Sequence, residues 1–197
     1  MIEFDWVSRT FAIWHRYDET TKTELFSTAL VLENDLTIFD PIALPKKSRQ
    51  EFESFGTIGR IVISNANHMR AAEVFAEAES AVVFAPAELN AQFSNSHTLS
   101  DGLELGPLRA TQIEGAAAGE FAFYHPENGG TLIMGDALIN FDPHGFTLLP
   151  KKYCIDQKQM TRSLRKLLDF DFTRIFFAHG NPIMLRGHDR LAALLDT

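Results

Sequence analysis

Short apolar runs bounded by turn residues limit the folds open to this sequence. The first three runs are Thr10 to Tyr17, Glu24 to Leu32 and Leu36 to Phe39. Turn-forming residues separate these runs at Asp18 to Thr20 and at Glu33 to Asp35. Because successive strands joined by short turns usually pair with each other, we predict an antiparallel meander in this third of the chain.

Strand and helix patterns alternate in the next part of the sequence. The charged run Pro45 to Phe55 has the composition of a short surface helix, and Arg60 to Ser64 is a β-branched strand. Apolar residues then recur at the spacing of an amphipathic helix, at Ala71, Val74, Phe75 and Ala78. A second strand, Ala81 to Ala85, precedes a short helix near Ala87 to Phe93. This order predicts a partly parallel sheet.

A second series of strands follows, separated by Gly, Pro and Asn turns. These strands are Leu103 to Leu105, Leu108 to Ile113, Glu120 to Tyr124 and Thr131 to Met134. We predict that they form a second antiparallel set. Asp156 to Leu168 then has the pattern of an amphipathic helix, and Arg174 to Phe177 that of a buried strand before a C-terminal helix. Because no linker or repeat interrupts this order, we predict a single domain over residues 1–197.

Composition restricts the partners and the compartment. A net charge of -8 and a pI near 5.3 disfavour nucleic acid, whose binding depends on clustered Lys and Arg. With Cys154 as the single cysteine, neither an intrachain disulfide nor a cysteine-rich zinc knuckle can form. The residues Met1 to Asp5 show neither a signal peptide nor a membrane anchor, and no apolar window is long enough to cross a bilayer. We therefore expect a cytoplasmic protein whose partner is a small molecule rather than a membrane.

The aromatic residues leave the oligomeric state open. The sequence contains seventeen Phe and two Trp residues, which could serve a homo-oligomer interface. In a chain of this length such residues more often form the core, so the oligomeric state stays open.

Polar residues directly follow four of the predicted strands, where catalytic groups are often found. They are Asp40, the segment Asn65 to Arg70, Asp136 and His179. Each also has a simpler interpretation. Asp40 could form a turn with Pro41, and Asn65 and Asn67 could cap a helix that begins near Met69. These residues are evidence for a functional site only when they are taken together.

In its order of motifs the sequence resembles the metallo-β-lactamase fold superfamily. That family has a strand ending in Asp, a His-x-His-x-Asp-His loop, a Gly-His turn, a Gly-Asp turn and a final turn containing His and Gly. The corresponding segments here are Ile38 to Pro41, Ile61 to Arg70, Glu114 to Glu120, Leu132 to Leu138 and Phe177 to Gly180. The resemblance implies an α/β (α+β) fold, a four-layer αββα sandwich of two mixed β-sheets flanked by helices. It also implies metal-dependent hydrolysis.

Most of the metal ligands implied by the resemblance are replaced in this sequence. The two loop histidines correspond to Asn65 and Asn67, the loop aspartate to Met69, and the third loop histidine to Arg70. The later histidine corresponds to Ala116, so that only Asp136 and His179 remain. A catalytic zinc ion needs at least three protein ligands. We therefore predict a degraded dinuclear site without the classical two-zinc activity.

Three interpretations of the remaining site stay open. Arg70 could contact Asp136 and replace the metal as the local cation, with His179 as a general base. His68 could instead join Asp136 and His179 to hold a single zinc, manganese or iron ion in a mononuclear hydrolase. The third interpretation is a non-catalytic module that binds small anions. In each of them Asn65, Asn67 and Asp40 are candidates for contact with the ligand.

Overall fold

A computed structural model describes residues 4–196, apart from the side chains of Ala78, Glu79 and Asn90. The predicted apolar side chain of Ala78 and the first three residues of the N-terminal segment therefore lie outside the description. The chain forms two compact units, one ending at Thr98 and the other beginning at Leu99. No helix of the described residues is long and apolar enough to span a bilayer.

A mixed seven-stranded sheet forms the first unit, with its strands in sequence order. The strands are β1 (Asp5–Trp6), β2 (Phe11–Asp18), β3 (Thr23–Leu32), β4 (Asp35–Phe39), β5 (Thr57–Val62), β6 (Val82–Ala85) and β7 (Ser96–Thr98). Neighbours from β1 to β4 pair antiparallel. From β4 to β7 they pair parallel. The predicted meander and the predicted parallel extension are both confirmed.

The parallel connections of the first unit contain α1 (Lys46–Glu53), α2 (Ala72–Glu79) and a 3-10 helix (Ala87–Gln92). Phe52 of α1 and Phe75 of α2 are buried in the same apolar cluster as Trp14. The prediction that Val74 lies on the buried face is wrong, because its side chain is 57% exposed. In this two-turn helix the buried positions include Ala72 and Phe75.

The second unit contains a mixed five-stranded sheet in the order β14-β11-β10-β9-β8. Its strands are β8 (Glu104–Leu105), β9 (Leu108–Gln112), β10 (Phe121–His125), β11 (Thr131–Met134) and β14 (Arg174–Phe177). The neighbours from β8 to β11 are antiparallel, as the sequence predicts. Strand β14 adds to β11 in parallel.

The second unit also contains a separate hairpin and helices that are not part of this sheet. A separate hairpin of β12 (Leu138–Phe141) and β13 (Gly145–Leu148) follows β11 and has no counterpart in the sequence prediction. The predicted helix from Asp156 to Leu168 is an α-helix, α3 (Gln157–Leu164), continued by a 3-10 helix (Arg165–Asp169). Asp156 caps α3 by accepting hydrogen bonds from the main-chain N–H groups of Lys158 and Gln159. The last helix is α4 (Gly187–Leu195).

Candidate functional site

Asp40, directly after β4, is the centre of a buried polar network in the first unit. Its side chain is nearly inaccessible, and its main chain adopts a left-handed conformation with φ of 48°. The Ser64 main-chain N–H donates to Asp40 Oδ1 at 2.8 Å, and the Ser64 hydroxyl donates to Oδ2 at 2.6 Å. His68 Nδ1 lies 3.0 Å from the same Oδ2. Asp40 therefore joins the end of β4 to the loop that follows β5.

The charge of Asp40 is stabilised within this network. Burial by itself, the largest single effect, would raise the pKa of the Asp40 carboxyl, and the charge and hydrogen bond of His68 oppose it. The Arg70 guanidinium and the Ser64 hydrogen bond act in the same direction, so the pKa of Asp40 lies below its ordinary value. Asp40 is therefore a carboxylate at neutral pH and accepts a hydrogen bond from the His68 ring.

His68 is buried, and Asp40 fixes the orientation of its ring. Because both nearby oxygens of the network surround Nδ1, with Ser64 Oγ at 2.9 Å and Asp40 Oδ2 at 3.0 Å, we assign the ring proton to Nδ1. A carboxylate that accepts from one nitrogen of a histidine while the other nitrogen faces a metal is a common arrangement in metalloproteins. The environment of His68 is thus suited to a ligand that would bind through Nε2.

Asn65 shapes the main chain of the loop. Asn65 is fully buried, and its Oδ1 accepts a hydrogen bond from the Asn67 main-chain N–H at 2.9 Å. The Asn65 carbonyl also accepts from the His68 N–H at 3.1 Å. The alternative that these residues cap the next helix is wrong, because α2 begins at Ala72 after Ala71, which has no side-chain acceptor. Asn65 instead forms a turn that presents His68.

Arg70 lies in the connection between this turn and α2. Its main chain has a φ of 43°, and its Nη1 donates to the carbonyl oxygens of Phe26, at 2.6 Å, and of Asp40, at 3.0 Å. Arg70 precedes α2 and is half-buried against main chain, so it does not lie on an exposed helix face. The contact of Arg70 with Asp136 stays a prediction.

The second unit brings Asp136 and His179 together. Met134 of β11 and Phe177 of β14 are partners in the parallel register, and each candidate residue lies two positions further along its own strand direction. The His179 Nε2 is 3.3 Å from Asp136 Oδ1, and each side chain is 14% exposed. An imidazole and a carboxylate thus meet at one edge of the sheet, where solvent can reach them.

Buried groups support the loop that carries Asp136. The Ala137 N–H donates to Oε1 of the buried Glu120 at 2.9 Å, and the Ala137 carbonyl accepts from the Leu149 N–H at 3.1 Å. Sequence reasoning did not identify Glu120 as part of the site, since a Glu at the edge of a predicted strand has no distinguishing motif. It likewise did not include Ser64, the last residue of the predicted strand directly before the loop segment.

The resemblance aligns Ala116 with the later histidine of the family, and this position is part of the packed core. Ala116 is fully buried in the apolar cluster of the second unit. Gly115, with φ of 86°, lies so close to α3 that a Cβ there would come within 2.4 Å of the Asp156 carbonyl oxygen. This turn keeps its glycine for backbone packing and supplies no ligand at Ala116.

Solved structures of low sequence identity share this fold. The DIM-1 metallo-β-lactamase matches 99% of this chain and 97% of its own, with 12% identity and a TM-score of 0.77. A metallo-β-lactamase from Erythrobacter litoralis, with β-mercaptoethanol in its active site, matches 99% and 96%, with 15% identity and a TM-score of 0.74. FIM-1 from Pseudomonas aeruginosa, in its mono-zinc form, matches 99% and 95%, with 13% identity and a TM-score of 0.72.

The fold is therefore of the mixed α/β class, with two mixed sheets and helices, and the predicted fold class is confirmed. The profile of the metallo-β-lactamase superfamily matches residues 8–197. The chain belongs to this superfamily of metal-dependent hydrolases, as its order of motifs predicts. No curated protein matches the sequence.

Proposed function

We propose that the protein is a hydrolase that uses one divalent metal ion in place of the family's usual two. His68, Asp136 and His179 could supply two imidazole nitrogens and one carboxylate oxygen, which is a sufficient protein ligand set for one catalytic zinc ion. The same set suits manganese or iron. Such an ion supplies Lewis acidity to the reaction of a small-molecule substrate.

The orientation of His68 by Asp40 carries this proposal. His68 is one residue away from the family's ligand positions, so its type alone would be weak support. However, a buried carboxylate accepts from its Nδ1 at 3.0 Å, as is usual for histidines that bind metal through Nε2. The 3.3 Å approach of His179 Nε2 to Asp136 Oδ1 gives independent support, because two ligands of one ion must lie close together.

A second ion does not fit the residues present. Asn65 and Met69 are poor zinc donors, Ala116 offers none, and the Arg70 guanidinium is a permanent cation. Asn65 also uses its side-chain oxygen in the turn before His68. A one-ion state has a precedent in this fold, since FIM-1 has been solved in a mono-zinc form.

The remaining candidates would position or bind the substrate. Asp40 and Asn65 are buried and accept hydrogen bonds from main-chain groups of the loop. A role in positioning the loop is therefore favoured for both over contact with substrate. Asn67 is exposed and could reach a ligand. Arg70 would stabilise negative charge that develops on the substrate.

Metal stoichiometry tests the proposal. Elemental analysis and zinc titration of the purified protein should give one ion per chain, and His68→Ala, Asp136→Ala and His179→Ala should each abolish binding. His144→Gln, which changes an exposed histidine, is the matched control. Esterase, phosphodiesterase and lactamase substrates assayed with and without zinc or manganese would then define the reaction. Two bound ions, or none, would contradict the one-ion site.

A second candidate function, a module that binds small anions, is favoured by Arg70. Its guanidinium is held by the carbonyls of Phe26 and Asp40, so its position is fixed before any ligand arrives. Guanidinium groups bind carboxylates and phosphates through paired hydrogen bonds. Phosphate or a small carboxylate should then raise the melting temperature of the metal-free protein, and Arg70→Gln should remove that rise. Turnover by the metal-loaded protein would instead favour the hydrolase.

A further inference from the structure

Asn140, in the β12 strand of the separate hairpin, holds the main chain on both sides of Gly180. The Asn140 N–H donates to the His179 carbonyl at 3.1 Å, and the Asn140 carbonyl accepts from the Asn181 N–H at 2.9 Å. The Asn140 side-chain Nδ2 donates to the Asn181 carbonyl at 2.7 Å. Three hydrogen bonds from one residue therefore hold residues 179–181 against β12.

Gly180 permits this close approach. Its φ of 115° is a conformation that favours glycine, and a Cβ at this position would lie 2.1 Å from the Asn140 carbonyl oxygen. Any side chain at Gly180 would thus push residues 179–181 away from β12. The glycine of the final family turn has a definite packing function in this chain.

The opposite flank of His179 is also held. The Ala178 N–H donates to the Met134 carbonyl at 3.0 Å, which continues the pairing of β14 with β11. His179 therefore lies between two anchors, one at the end of β11 and one in β12. Since Asp136 lies on the segment that joins β11 to β12, the same short piece of chain presents Asp136 and fixes the backbone of its partner.

We infer that Asn140 is a positioning residue that sets the place of the His179 ring relative to Asp136. Its side-chain amide adds the bond that the main chain alone cannot make, and this bond prevents the turn at residues 179–181 from rotating. The effect of Asn140 on metal affinity rests on the proposed one-ion function. The effect of Asn140 on the position of the His179 ring does not rest on that function, because it is a property of the metal-free protein.

Histidine NMR of the metal-free protein tests the inference. Long-range 1H–15N correlation spectra of 15N-histidine-labelled protein report the ring environment, and His179→Gln assigns the His179 signals. Asn140→Ala should shift or broaden those signals and leave the ring signals of His144 and His188 in place. Thr147→Ala, which removes a polar side chain of the neighbouring strand in the same hairpin, should change none of them. His179 signals that are identical in Asn140→Ala and wild type would overturn the inference.

A second variant and a second measurement complete the test. Gly180→Ala should perturb the His179 signals more strongly than Asn140→Ala, because it displaces the main chain as well. Zinc should bind Asn140→Ala about tenfold more weakly than wild type, with a similar melting temperature. If zinc binds neither wild type nor variant, the proposed one-ion function fails, whereas the NMR result still decides the role of Asn140.

Discussion

Asp136 and His179 occupy equivalent positions beyond the ends of two neighbouring parallel strands, each two residues after the paired residues Met134 and Phe177. Their side chains meet at 3.3 Å because the parallel register places the two strand ends side by side. No long loop has to close to bring them together. The position of the pair therefore follows from the pairing of the two strands.

Asp40→Asn should weaken metal binding without changing any proposed ligand. The variant removes the negative charge that accepts from His68 Nδ1, so the ring orientation is no longer fixed. We expect zinc affinity to fall about 10- to 100-fold, as for other groups that orient ligands. Stability should fall by about 1–3 kcal/mol, because buried hydrogen bonds lose their partner. Calorimetric zinc titration and urea unfolding measure the two effects.

Asp5→Asn is the matched control for this variant, since it makes the same change at an exposed position of the same unit. It should leave both quantities near their wild-type values. Unaltered zinc affinity in Asp40→Asn would remove the support that Asp40 lends to His68 as a ligand.

Arg70→Gln should have opposite effects on stability and on metal affinity. Loss of the hydrogen bonds to the carbonyls of Phe26 and Asp40 should lower the free energy of unfolding by about 1–3 kcal/mol. Removal of a fixed cation should at the same time strengthen zinc binding, by about tenfold or ~1.4 kcal/mol. Arg70→Lys keeps the charge and serves as the control, with zinc affinity close to wild type. Weaker zinc binding in Arg70→Gln would show that Arg70 does not oppose the ion.

The sequence predicts the sheets well because their signals are local. Apolar runs of β3, β4, β11 and β14 have strand length and are bounded by turn residues, so their positions follow from composition alone. The pairing of Asp136 with His179 also follows, once the two strands are taken as neighbours. These parts of the candidate site are fixed by strand order.

The rest of the site depends on contacts that have no local signal. His68 meets Asp40 across 28 positions of sequence, and the contact requires a left-handed main chain at Asp40 as well as the turn at Asn65. The hairpin that contains Asn140 was missed because its first strand begins two residues after Asp136, and because no residue of its second strand is fully buried. Neither feature leaves a periodic pattern that a single sequence could reveal.

Glu120→Ala should destabilise the second unit. Glu120 is buried, and its Oε1 is the acceptor for the Ala137 N–H next to Asp136. Truncation leaves that donor unsatisfied inside the protein, for which we expect a loss of about 1–3 kcal/mol in urea unfolding. Glu120→Gln retains an oxygen acceptor and should lose less. Glu104→Ala, at an exposed position of the same sheet, should change the free energy of unfolding by no more than about 0.5 kcal/mol.

His125 should make the protein sensitive to mild acid. Burial lowers the pKa of this histidine below its ordinary value of 6.5. The charge of Glu127 opposes this effect without cancelling it, and the positive charge of Arg174 adds a smaller lowering. The folded state therefore binds a proton at His125 less readily than the unfolded chain does. Stability should fall as the pH drops below 6.5, and the fall should continue until the folded state is protonated too.

Urea unfolding at pH 7.5 and pH 5.5 checks this prediction. The quantity compared is the loss of unfolding free energy between the two pH values, in wild type and in each variant. His125→Gln should show a smaller loss of stability between the two pH values than wild type, whatever its stability at pH 7.5. His144→Gln changes an exposed histidine of the same unit and should keep the wild-type pH dependence. If His125→Gln lost as much stability on acidification as wild type, the acid sensitivity would have to come from other groups, because only the buried imidazole has been removed.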